Sequence, residues 1–557
     1  MRTASTAARA GAALVVVSLL ATACSSKSNS AATSSAAATT AGGAAATSGA
    51  ATTSGAAATS AAGAANTGKV VIWGSTDTPV SYDPAGAYDL PSWNVIYNTY
   101  QTLLRVDEST QKLVADAATG CTSSTDFKVW TCKLASGLKF SNGDPLTSGD
   151  VKYSFDRLIK IADPNGPSSL LGKVVTTAPD PATVVFTLPS GNSLWSQILG
   201  TAAGAIVDSK VFPADKLEAD ASIIGSGPYA LKTYQTKQIA EFVPNKNYAG
   251  GLKLANAGLI IHYYSDESSL KLDLEAGKVD VAYPNFTPTT LAELKSKANI
   301  KEVSGPGGAI RYIVFNTKTM PGGTPAQKTA IRQAMAYLID RSSIAKNVYE
   351  GTVQPLYSMV PKGLDGATTD YATTYGTAPD KAKAAAVLKA AGVTTPVSAQ
   401  IWWTPAHYGT LSSDEYTEIK RELDGSGLFK VDLQSTEWDA YSKAYSTDKY
   451  PIYELGWFPD YPDTDDYVGE FYGPTPFFNN HYVNTAIDKL LLDEKASTDA
   501  AKRTADFRAI QDLAVKDVPT IPVWQGEQIA VQYGTITGLA STLKPDYIFR
   551  FWDLGKS

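Results

Sequence analysis

Thiols and imidazoles are scarce in this chain, with three Cys and three His among 557 residues. His262, His407 and His481 stand far apart and no C-x-x-C pair occurs, so a metal centre built on these ligands is excluded. The nucleophile elbow G-x-S-x-G and the zinc motif H-E-x-x-H are also missing, which removes the common patterns of a secreted hydrolase. The Gly-Lys pairs at 68, 172 and 277 are each followed by Val, so none of these three opens a phosphate-cradling loop. Gly225 to Ala230 has the outline of a dinucleotide loop, but Pro228 and the lack of a following apolar helix spoil it. Positive charge is not in excess: 48 Lys and Arg face 54 Asp and Glu, a net charge of −6 that argues against a phosphate-binding surface for nucleic acid. Beyond the N-terminus there is no apolar run long enough to cross a bilayer.

What is present begins with a leader. Arg2 and Arg9 precede the short apolar stretch Gly11 to Leu20, so residues 1–23 read as a secretory signal. Leu20-Ala21-Thr22-Ala23-Cys24 resembles the lipobox of bacterial lipoproteins, and Cys24 is the expected site of diacylation and membrane anchorage. The alternative is an ordinary secreted protein with a chance Cys. Residues 24–68 follow as a tether of almost pure Ala, Ser, Thr and Gly that cannot bury a core. As a flexible coil it spans roughly 35 Å. Cys121 and Cys132 lie downstream of this export signal, on either side of a turn-like run, and a cross-hairpin disulfide is expected; two free buried thiols are the alternative.

The remainder is long enough, at 44% hydrophobic and 18% charged residues overall, for two or more packed units. Strand-like runs occur at 70–73, 183–188, 239–243 and 259–264. Helical spacing of apolar residues appears at 150–161, with Thr147 or Ser148 as cap, and at 327–345, 380–391, 415–423 and 498–516. The irregular alternation predicts a mixed α/β fold.

Aromatic residues make up 10% of the chain and crowd into one place. From Glu437 to Tyr482, 14 of 46 residues are Trp, Tyr or Phe, accompanied by nine carboxylates and only two lysines. Rings give stiff contact surfaces and a carboxylate among them fixes a cationic group, so this segment is the ligand-site candidate that composition provides. Packing of the same rings into a domain interior is the competing reading. Asp463-Thr464-Asp465-Asp466 begins like a calcium loop, but Tyr467 and the absence of Gly after it leave no metal or other cofactor assigned.

Several runs together resemble one family: Asn94 to Tyr97 through Arg105, Leu134 to Val151, Gly225 to Tyr229, Leu274 to Asp280, Ala330 to Arg341, and Gly456-Trp457-Phe458-Pro459-Asp460-Tyr461. In order and spacing they look like the family 5 extracellular solute-binding proteins, the oligopeptide, dipeptide and nickel receptors of bacterial ABC importers. The resemblance implies a two-lobed α/β fold of the periplasmic-binding-protein kind (type II, with an extra subdomain) and a ligand cleft between the lobes. One lobe would comprise 69–261 with 520–557 and the other 262–519, with crossings near Ile261-His262 and Pro519-Thr520. It implies no enzymatic activity. The expected protein is a lipid-anchored, extracytoplasmic and monomeric receptor that closes on a solute, an oligopeptide first and an oligosaccharide second, and delivers it to permease subunits. A surface hydrolase or an adhesion lipoprotein is the reading from another class.

By the same resemblance Asp460 holds a peptide α-amino group, while Trp457 and Trp438, the latter in a Glu-Trp-x-x-Tyr run, flank side-chain pockets. Tyr461 and His407 complete the ligand-site candidates. Dipeptide receptors carry an Arg for the ligand carboxylate in the stretch matching Thr404 to Leu411. None is present here, which argues against free-dipeptide recognition of that kind.

Overall fold

The structure is a computed structural model that describes residues 68–556, apart from 108, 111, 284, 285 and 406. The leader, Cys24 and the tether lie outside the described residues. Among the described residues no helix is long and apolar enough to cross a membrane.

Two large sheets organise the folded part. The first has seven strands in the order 300–305, 528–533, 281–282, 71–75, 259–263, 239–244 and 229–235. Within it Val71–Ser75 runs parallel to Leu259–Tyr263 and to Val281–Ala282. The second has six strands in the order 353–355, 520–526, 310–315, 452–457, 397–403 and 429–435. Its strand Val397–Trp403 is parallel to both Phe429–Ser435 and Ile452–Trp457. A smaller four-stranded antiparallel sheet, ordered 118–123, 129–134, 183–187 and 175–180, is the additional layer. Cys121 and Cys132 face each other across its first hairpin and form a disulfide.

Strand pairing places the passages between the two large sheets differently from the sequence-based expectation. Ile261 and His262 sit inside the seven-stranded sheet, which also keeps 281–282 and 300–305. The chain leaves that sheet through Pro306-Gly307-Gly308-Ala309. Thr520–Gly526 pairs in the six-stranded sheet, and the return is made at Glu527. The two passages run side by side. Gly526 N–H donates to Ala309 O at 2.9 Å, Gln525 Nε2 to Gly307 O at 2.9 Å, and a Cβ on Gly307 would meet Gly526 O at 2.2 Å. Glycine is required there by backbone contact.

Helix boundaries follow local chemistry. Ser148–Ile161 starts from a capping box in which Thr147 N–H donates to the Asp150 carboxylate at 2.8 Å, and it buries Val151, Phe155 and Leu158 against the four-stranded sheet. Lys381–Ala390 is capped by Asp380, and Ser412–Gly425 and Ala500–Asp517 extend the other expected helices. The expected helix 327–345 ends at Leu338, because Ile339 turns extended and the Asp340 carboxylate caps a new turn through the Ser342 and Ser343 N–H groups. Core packing covers both faces of the six-stranded sheet. Ile310, Tyr312 and Val314 point into one cluster, and Ile313 and Phe315 into the opposite one.

Candidate functional site

A cavity of about 530 Å³ opens between the two large sheets. This is the size of a small-solute site. One wall carries Ser75 and Tyr263, the last residues of two parallel strands of the seven-stranded sheet. Facing them are His407 and Tyr408, from the loop after Val397–Trp403, with Phe458 directly after Ile452–Trp457. Both walls are therefore carboxyl ends of parallel strands, where backbone geometry leaves a crevice in α/β folds.

His407 and Trp438 come together here. Their rings stack at 3.6 Å with only 6° between planes, and Tyr408 meets both edge-on. Cleft solvent reaches His407, yet enclosure by the protein, and second the positive charge of Arg311, hold its imidazole well below the ordinary range. It is neutral at physiological pH and presents an aromatic face.

Asp460 and Tyr461 lie elsewhere, on a neighbouring cavity of only about 40 Å³ that also borders Asp546 and Arg550. Asp460 is buried and accepts from Tyr88 O–H at 2.6 Å; burial pushes its carboxyl well above the usual carboxylate range. Tyr461 is packed in the core beside the four-stranded sheet and donates to Asp465 Oδ2 at 2.9 Å. Trp457 borders neither cavity. It is buried among Phe471 and Phe477, and its Nε1 donates to Asp466 Oδ2 at 3.0 Å. The calcium-like carboxylates are likewise committed to protein partners: Asp463 to Arg503 at 2.8 Å and Asp465 to Lys495 at 3.1 Å. Among the described residues no group of three metal-ligating side chains converges.

The model of the bacterial extracellular solute-binding proteins, family 5 (middle), matches residues 112–479. The chain belongs to this family. The family consists of transport receptors without catalytic activity, so this solute-binding protein is a receptor and not an enzyme. It is 26% identical over 474 residues to the probable D,D-dipeptide-binding periplasmic protein DdpA of Escherichia coli K12, covering 82% of this chain and 88% of that one. Over 498 residues it is 27% identical to the glutathione-binding protein GsiB of the same strain, covering 87% and 93%. Among solved structures, the periplasmic binding protein DppA of Helicobacter pylori in complex with peptide STSA superposes with a TM-score of 0.76 at 22% identity, covering 88% of this chain and 98% of that one. The two-lobed α/β architecture with a cleft between the lobes is thus the fold of this protein.

Residues that sequence reasoning missed also line the cleft of this solute-binding protein: Asp77 and Phe549 on one wall, Arg311 and Trp524 on the other. Cleft solvent reaches Asp77, yet enclosure by the surrounding protein, and second the neighbouring Asp89, push its carboxyl up to about 7. Arg311 left one readable signal in the sequence, as the single charge in the otherwise uncharged run Ile310–Phe315.

Proposed function

We propose that this protein is the lipid-anchored receptor of an ABC importer, capturing short peptides by closing its lobes and handing them, as a monomer, to a membrane permease. The observation that carries this reading is the cavity of about 530 Å³ whose two walls belong to different sheets. A ligand touching both walls binds the closed form more tightly than the open form, so capture and closure are linked. The hinge of that motion is assigned to Pro306–Ala309 and Gly526–Glu527, the paired passages between the sheets. Peptide as the ligand class is favoured by the ligands for which the relatives are named or with which they were solved, a D,D-dipeptide, glutathione and STSA.

Asp460, on the small cavity beside the cleft, is proposed to hold the ligand's ammonium once the lobes close, the cation replacing the Tyr88 hydroxyl and favouring the ionised carboxylate that burial alone disfavours. Trp438 and His407 supply the stacked platform for side chains. Asp460→Asn is expected to weaken peptide binding by about 2 kcal/mol or more in calorimetry, whereas Tyr88→Phe does not weaken it. Unchanged affinity in Asp460→Asn removes this residue from the role. A thermal-shift screen across peptides and oligosaccharides tests the ligand class, since a ligand at 100 times its dissociation constant adds about 2.7 kcal/mol. A response to oligosaccharides alone overturns the peptide reading. For the anchor, Cys24→Ala is expected to release the protein into the medium; membrane retention of that variant, measured by fractionation, counts against lipidation.

A further inference from the structure

Arg311 is a buried cation at the edge of the cleft, only 5% exposed. Its guanidinium is framed by three rings: Cζ lies 4.3 Å from the centroid of Tyr408, 4.9 Å from Trp524 and 5.4 Å from Phe458. These contacts orient the group without neutralising it. Nη1 donates to the Ile310 carbonyl at 3.0 Å, and Nε meets no acceptor among the described residues. Two buried carboxylates sit nearby, but each is engaged elsewhere. Glu415 accepts from Tyr349 O–H at 2.6 Å and Trp524 Nε1 at 3.0 Å, and Glu454 accepts from Thr404 N–H at 3.1 Å. Burial raises both toward their neutral forms even with Arg311 close by. Room for the guanidinium is made by Gly456, its partner on the adjacent strand, where a Cβ would fall 2.3 Å from Nη1.

A buried charge needs a counter-ion, and no carboxylate among the described residues forms an ion pair with this one, which leaves the cleft to provide it. Arg311 is moreover the one Arg or Lys among the described residues lining a cavity that carries Asp77, Asp266, Glu267, Glu437 and Glu527. We infer that Arg311 receives the free C-terminal carboxylate of the ligand, so that the solute class is short peptides with an unblocked C-terminus. The loop 404–411, which has no Arg, then contributes the ring of Tyr408 beneath a guanidinium that comes from the neighbouring strand. A planar fork matches a carboxylate through two parallel N–H bonds, which an ammonium cannot reproduce. The acidic residues of the cleft disfavour a ligand with further negative charge.

This inference rests on the peptide reading, and the two fail differently. The full-length protein and its Arg311→Gln and Gly456→Ala variants are dialysed against one pool of random di- to pentapeptides as free acids, and against the same pool as C-terminal amides. Retained species are counted by mass spectrometry, and circular dichroism establishes that each variant is folded. The wild type is expected to retain free acids at least about 30-fold better than amides, and Arg311→Gln to lose that preference. Gly456→Ala, which displaces the guanidinium and keeps its charge, is expected to lose most of it and so serves if Arg311→Gln does not fold. Equal retention of acids and amides by the wild type, or an undiminished acid preference in a folded variant, overturns the role of Arg311 while the peptide reading stands. Retention of neither pool by the wild type overturns both.

Discussion

Arg157→Ala is expected to lower the free energy of unfolding by about 3–5 kcal/mol, the cost of leaving one half of a buried ion pair behind. The pair is almost fully enclosed, with 2% exposure for the Arg157 side chain and none for Asp83. Its geometry is a double fork, Nη1 to Oδ1 at 2.8 Å and Nη2 to Oδ2 at 2.6 Å. Arg157 also donates to the carbonyls of Pro213 at 2.6 Å and Lys216 at 2.8 Å, while Asp83 accepts from Ala85 N–H and Glu218 N–H. The helix 148–161 is thereby bolted to two loops, and alanine strands a carboxylate and two carbonyls together. Arg157→Ala combined with Asp83→Asn is expected to recover part of the loss, because the uncompensated charge is gone. Urea unfolding of the three proteins measures this. A loss below about 1 kcal/mol in the single variant means that the pair does not hold these segments.

Stability is expected to fall as pH rises through the neutral range, and Glu454 is a principal cause. This side chain is buried in the six-stranded sheet, where desolvation, and second the neighbouring Glu415, push its carboxyl from 4.5 up to about 8. Between those two values the folded protein keeps the proton and the unfolded chain has lost it. The folded state is therefore favoured most at low pH, and the contribution is lost as pH climbs through the folded value. The site accounts for about 3–5 kcal/mol across that window. Glu454→Gln mimics the neutral form and keeps an oxygen for the Thr404 N–H, so its stability from pH 5 to pH 8.5 is expected to decline less than that of the wild type by that amount. Urea midpoints of both proteins at the two pH values decide it. Parallel declines sink the assignment.

Local signals served the helices well. Of the two caps offered, Thr147 is the one used, and the helix expected over 380–391 starts where Asp380 caps it, both through short-range chemistry. The aromatic segment was legible as a place and not as a set of roles. Trp438 and Phe458 face the cleft, whereas Trp457, Phe471 and Phe477 pack together in the core. Composition cannot divide them, because a ring suits a binding wall and an interior equally well. Arg311 was passed over for a related reason: periodicity distinguishes buried from exposed faces, and a strand buried on both faces offers none.

The chain's own sequence determined its mixed α/β class, its Cys121–Cys132 pairing and its family, since these depend on residue type and order along the chain. Tertiary structure alone decided where the chain crosses between sheets, which aromatic rings line the cleft, and that Arg311 of one strand lies over Tyr408 of a loop and opposite Gly456 of another strand. Those are matters of hydrogen-bond register between segments far apart in sequence. A shift of one residue in that register would turn Arg311 to the other face of the sheet and empty the site of its cation.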